Sequence, residues 1–138
     1  MLRFTIQGEP ASKANQRKLV TLKGKPALIK SPKALDYVQS ALLQIPMAAR
    51  QRLEGPIEVH MRIFYRTEKP DLDESVILDV LQDQWARVNG QRILIQSGVY
   101  RNDRQVRRKV IEHGIDKQRP RAEISIQSLN REGEPNDG

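Results

Sequence analysis

The stretch Lys69, Pro70, Asp71, Leu72, Asp73, Glu74 places two aspartates two residues apart in a strongly basic chain. In extended backbone, residues at that spacing project from the same side. Two carboxylates held side by side repel unless a cation sits between them. A hard cation such as Mg2+ prefers oxygen ligands and keeps several waters, so two or three carboxylates suffice to hold it. Asp103, after a Gly-containing turn and before an alternating stretch, is the candidate third member. The competing reading is structural: Asp73 or Ser75 caps a following helix, Glu74 is a first-turn acid and Asp103 an ordinary turn residue. Asp-x-Asp arises often by chance, and spacing alone favours capping. A calcium-binding loop is excluded, because its sixth position would be Val76, where that loop needs glycine.

The elements that must position these acids come from patterning. Residues 2–7 alternate as a strand, ended by Gly8 and Pro10; residues 11–18 are polar and basic and predict a loop; residues 19–29 predict a hairpin turning at Gly24. Ser31 followed by Pro32 predicts a helix start, with Leu35, Val38, Leu42 and Ile45 on one face and Pro46 as its limit. Residues 56–66 alternate most clearly, with Ile57, Val59, Met61, Ile63 and Tyr65 inward and His60 outward, so His60 reads as a solvated strand histidine. After the two aspartates, Val76, Ile77, Val80, Leu81 and Trp85 predict one face of a helix that Asn89-Gly90 breaks. Residues 105–113 and 122–129 predict two further strands. Interleaved strands and helices predict an α/β (α+β) fold, a mixed sheet packed with helices.

At 138 residues the chain predicts one domain over residues 1–130, with residues 131–138 a polar, disordered tail. Only 4% of residues are aromatic, so the core must be mainly aliphatic. The absence of cysteine excludes disulfides and thiolate metal sites and fits a reducing compartment. Two histidines make a zinc site unusual. Without an apolar run of about 20 residues or a signal-peptide core, the expectation is a cytoplasmic protein with no membrane partner. The net charge is +7, and residues 1–33 alone carry eight Lys or Arg against one acid. The acids instead concentrate around the paired aspartates, nine of them in residues 34–98. Basic flanks around an acidic centre suit a polyanionic partner.

Three blocks in order give the chain a likeness. Residues 69–73 read Lys-Pro-Asp-Leu-Asp, residues 98–106 read Gly-Val-Tyr-Arg-Asn-Asp-Arg-Gln-Val, and residues 7–18 carry a Gly-x-Pro-x-x-Lys segment with a nearby arginine. Together they resemble the RusA family of Holliday junction resolvases, over residues 2 to about 110. The resemblance implies a small α/β endonuclease that nicks a four-way DNA junction symmetrically as a homodimer, in DNA recombination and repair, with no small-molecule cofactor. It implies that Asp71, Asp73 and Asp103 are the catalytic, metal-binding set, using Mg2+ with Mn2+ as a possible substitute. Lys13, Arg17, Lys69, Arg101 and Arg104 are the expected DNA contacts. Three positions depart from the family pattern: Glu74 stands where an Asn usually follows the second Asp, Asn102 replaces the first acid of an Asp-Asp pair, and Ile77 stands where a Lys is usual. Lys69, Arg101 and Lys109 are the candidates to replace that charge. The alternative is a phage DNA-binding protein on the same scaffold with reduced or lost nuclease activity. A third reading is a basic interaction module with capping aspartates.

Overall fold

The computed structural model describes residues 1–11 and 17–135. The alternating stretch at 56–66 forms β4 (Ile57–Tyr65), and the sheet is built around it. β1 (Leu2–Gln7) pairs antiparallel with β8 (Arg121–Ser128), β8 antiparallel with β4, and β4 parallel with β7 (Val106–Ile115), giving the order β1-β8-β4-β7. The sheet is therefore mixed, and with its two helices it makes a small α+β domain.

The registers decide which side is apolar. Val59 stands opposite Ile126, Met61 opposite Ile124 and Ile63 opposite Ala122, so one face carries a continuous aliphatic surface. α1 (Pro32–Gln44) and α2 (Ser75–Leu81) cover that face, adding Tyr37, Ala41, Ile77 and Val80 to one buried cluster. The other face is wet and charged: Arg3, His60, Arg62, Glu112 and Glu123 line an open groove of about 510 Å3. An antiparallel-rich sheet tolerates this because its outward side chains are polar. His60 lies there as expected, its Nε2 3.0 Å from Glu112 Oε1.

Ser31 caps α1 by accepting from the Ala34 N–H at 3.2 Å. The buried face is Ala34, Tyr37 and Ala41, with Val38 and Leu42 half-buried, and Leu35 faces outward. The expected apolar face is thus rotated by part of a turn, onto Ala34, Tyr37 and Ala41 and away from Leu35. β2 (Arg17–Leu22) and β3 (Lys25–Lys30) form the predicted hairpin, with Lys23 and Gly24 both at positive φ. Residues 17 and 18, expected in a loop, begin β2; residues 12–16 of that expected loop lie outside the described residues. At the other end, residues 131–135 of the expected tail make a turn closed by Asn130, whose N–H donates to the Glu134 carbonyl. Among the described residues no helix is long and apolar enough to cross a membrane.

The largest departure from expectation is in the second helix. α2 stops at Leu81, and residues expected to extend it form a second hairpin, β5 (Gln84–Val88) with β6 (Gln91–Gln96). Asn89-Gly90 does not break a helix but supplies the positive φ pair of a two-residue hairpin turn. Trp85 belongs to β5, not to the helix face. The physical reason is Asp83, which helical spacing cannot explain. It is buried, accepts Arg52 Nε at 3.1 Å and Nη2 at 2.9 Å, and accepts the Gly98 N–H at 2.8 Å. Holding those partners takes the chain out of the helix, and Gln84 then donates to the carbonyls of Asp79 and Gln82.

Gly98 lies so close to this corner that a Cβ there would stand 2.3 Å from the Gln82 carbonyl carbon and 2.5 Å from the Asp83 nitrogen. Both are backbone atoms and cannot swing aside. Gly98→Ala is expected to cost at least the ~1–3 kcal/mol of an overpacked interior, read as a lower urea midpoint. A wild-type midpoint would contradict this packing.

Candidate functional site

Tyr65 ends β4 and fixes the start of the acidic segment. Its hydroxyl accepts the Asp73 N–H at 3.2 Å, and its ring stacks on His113 with centroids 4.8 Å apart. Burial pushes the Tyr65 phenol up, and the Asp73, Glu9 and Glu74 carboxylates push the same way, against the lowering effect of the bond from Asp73. Asp73 is buried, and its Oδ1 accepts from the Ser75 N–H at 3.0 Å and the Ser75 hydroxyl at 2.8 Å. Asp73 therefore ties down the first residue of α2 from one position before the N-cap; the N-cap itself is Glu74, not Asp73 or Ser75 as the structural reading expects, and its side chain makes no capping bond. Asp71 is exposed and has no hydrogen-bond or ion-pair partner among the described residues.

Asp103 opens a 3-10 turn directly before β7. Its N–H donates to Gln82 Oε1 at 3.0 Å, which ties it to the far end of α2. Asn102 caps this turn, accepting from the Arg104 N–H at 3.1 Å. Gln105 closes it: its Oε1 accepts from the N–H groups of Arg101 and Asn102, and its Nε2 donates to the carbonyls of Leu53 and Gly55. Beneath it, the buried Tyr100 hydroxyl donates to the Leu78 carbonyl at 2.7 Å. Its phenol is pushed up by burial first, then by the Asp103 and Asp79 carboxylates.

β7 does pair directly with β4, but in parallel. Val106 stands beside Ile57 and Ile115 beside Tyr65. Asp103 therefore enters at the start of β4, whereas Asp71 and Asp73 follow its end. α2 runs back between them, and its seven residues span roughly 10 Å. A groove of about 250 Å3 runs beside it, lined by Leu78, Asp103, Arg107, Arg108 and Lys109. At its far end Lys109 Nζ meets Glu74 Oε1 at 2.8 Å, next to Asp73. Of the three cations expected to stand in for the missing helix lysine, Lys109 reaches the acidic turn. Ile77 is fully buried in the core. Arg101 pairs with Glu54, and the Lys69 N–H donates to the Thr67 hydroxyl.

Among the described residues, no group of three or more His, Asp or Glu is arranged to hold a metal ion. The donor chemistry suits Mg2+, since Asp71 and Asp103 are exposed oxygen ligands, but the expected trio Asp71, Asp73 and Asp103 is distributed along α2 rather than brought to one point. Among the expected DNA contacts, Arg104 is exposed beside Asn102 and Lys69 is exposed. Arg17 begins β2, and Lys13 lies outside the described residues. Arg107 and Arg108 were not among the expected contacts. The signal for them was the uninterrupted Arg-Arg-Lys run inside an alternating strand.

The two aspartates should separate in a stability assay. Asp73→Ala removes the acceptor of two hydrogen bonds and should cost about 1 kcal/mol, the scale of a lost helix-start contact. Asp73→Asn, which can still accept at Oδ1, should recover most of that. Asp71→Ala should leave the urea midpoint within about 0.5 kcal/mol of the parent, as expected for an exposed side chain. Equal losses at both positions would overturn this geometry.

Comparison with protein-family models finds no match over this chain, and comparison with curated proteins finds none.

Proposed function

We propose that this chain is a Mg2+-dependent, structure-specific DNA endonuclease of the RusA type, resolving four-way junctions by paired nicks as a homodimer. The observation that carries the reading is the groove beside α2. Asp103 presents an exposed carboxylate there, yet none of the neighbouring Arg107, Arg108 and Lys109 neutralises it in an ion pair. Arg108 and Lys109 pair instead with Glu58 and Glu74, so among the described residues the groove keeps one unpaired charge of each sign, Arg107 for phosphate and Asp103 for a cation bound with that phosphate. The sequence resemblance supports the same reading. Three acids, in the order and context of the family's catalytic set, flank the helix that walls this groove.

Asp103 is the groove residue free to hold Mg2+, with DNA phosphate and water supplying the further oxygen ligands, while Asp71 and Asp73 stand at the other end of α2. Bound there, the ion would neutralise phosphate charge and generate the nucleophilic water that phosphodiester hydrolysis requires. Arg107, Arg108, Arg104 and Arg101 contribute positive charge along the backbone path, where phosphate contacts position DNA without reading its sequence. Lys109 holds Glu74 and so steadies the turn that carries Asp71 and Asp73. Two-fold symmetry of a dimer matches the two-fold symmetry of opposed nicks.

A second reading, DNA binding without cleavage, draws support from the spread of the acids along α2 and from the buried Ile77. One variant separates the two. Asp103→Asn should leave the melting temperature unchanged, because the carboxylate makes no hydrogen bond among the described residues. Junction binding in Ca2+ should hold or tighten as one negative charge leaves the groove. Nicking of the junction in Mg2+ should fall by at least a hundredfold. A folded variant that nicks at near the parent rate refutes the assignment of Asp103. A parent protein that binds junctions but never nicks them, in Mg2+ or Mn2+, selects the second reading.

A further inference from the structure

We propose that the β5–β6 hairpin is a nucleic-acid-gripping arm, and that the face bearing Trp85 stacks on unpaired bases of the DNA handled at the neighbouring groove. The inference rests on the nucleic-acid reading above but not on cleavage. It starts from where the hairpin is rooted. The strands leave the domain at Gln82 and Asp83 and return at Gly98 and Val99, and those roots are cross-bonded: Val99 N–H to the Leu81 carbonyl at 2.7 Å and Asp83 N–H to the Arg101 carbonyl at 3.3 Å. Gln82 also accepts from Asp103. The arm is therefore fastened to the backbone that carries the candidate acid.

Its two strands pair with each other and join no other sheet. Residues 84–96 contain two arginines and no acid. The register puts Trp85 opposite Leu94 and Arg87 opposite Arg92, so all four share one face. Arg92 lies over the Trp85 ring, 4.1 Å from its centroid, and the indole remains 38% exposed. An exposed indole beside two guanidinium groups meets both needs of a single-strand contact, a flat π-surface for a base and positive charge for its phosphate. The opposite face, with Val88, Ile93 and Ile95, is uncharged and suits a different neighbour. A branched junction supplies the unpaired or unstacked bases at its crossover that this face requires.

Trp85 is the only tryptophan in the chain, so its fluorescence reports on this arm alone. The measurement titrates the full-length protein, in Ca2+, with a dye-labelled four-way junction, a labelled single strand and a labelled blunt duplex, following dye anisotropy and tryptophan emission together. The expected result is quenching by the junction and the single strand at the concentrations where anisotropy rises, with little quenching by the duplex. Trp85→Leu should weaken single-strand binding roughly tenfold or more, and Trp85→Tyr should restore most of it. Arg92→Ala should lower the log–log salt slope by about one. Anisotropy that rises while the emission stays constant overturns the inference and leaves the nuclease reading intact. Emission that shifts with protein concentration in the absence of DNA, in step with a monomer–dimer transition by sedimentation, overturns it in favour of a second copy of the chain. Quenching by DNA with no nicking in Mg2+ upholds the arm and sinks the nuclease. No binding to any of the DNAs overturns both.

Discussion

The buried carboxylate of Asp83 is the constraint on which the arrangement of the site depends. It is almost fully inaccessible and is satisfied from two directions, by the Arg52 guanidinium and by the Gly98 N–H. Leaving the buried carboxylate without its partners is costly, so the three segments that supply these groups are held together. The Arg52 backbone conforms to this demand: it sits at φ 48°, uncommon for a residue with a side chain, and its N–H donates to the Gly98 carbonyl. Gly98 approaches so closely that only a hydrogen can face the end of α2. From this corner the chain continues through Tyr100 to Asp103, so the position of Asp103 is set from the Arg52–Asp83 pair.

The other end of α2 is governed by a second local device. Tyr65 and Ser75 fix Asp73 from either side, and Lys109 fixes Glu74 from β7. The result is an acidic turn with one member, Asp73, bonded to the first residue of α2 and one, Asp71, facing solvent. What the fold controls is spacing. A rigid helix of seven residues stands between the acids, and the parallel pairing of β4 with β7 delivers the last acid from the opposite end of the sheet.

Charge follows the same division. The open face of the sheet balances its own charges, with Glu112 held low by hydrogen bonds from His60 and Arg62 and by the Arg62 charge. The groove beside α2 does not balance in this way, because Asp103 and Arg107 lie in it without an ion pair between them. Unneutralised charges of both signs on one surface are what a phosphate–cation pair would complete.

Much of this was legible in the residues themselves. Period-two alternation located β4, β7 and β8, the Ser-Pro pair located the start of α1, and the Asp-x-Asp stretch marked the turn into α2, because these signals are local and a few residues carry them. The sequence could not reveal that α2 is short, since Trp85 continues the helical spacing by coincidence and the reason for stopping is a partner 31 residues earlier, Arg52, together with a glycine 15 residues later. Nor could it reveal that Lys109, and not Lys69 or Arg101, reaches the acidic turn, because that depends on the register of two parallel strands. The types of residue at the site were therefore set by sequence, but their separation was decided by tertiary structure. A buried charge must find its partner wherever the chain brings it, and strand pairing moves side chains by distances that no local pattern encodes.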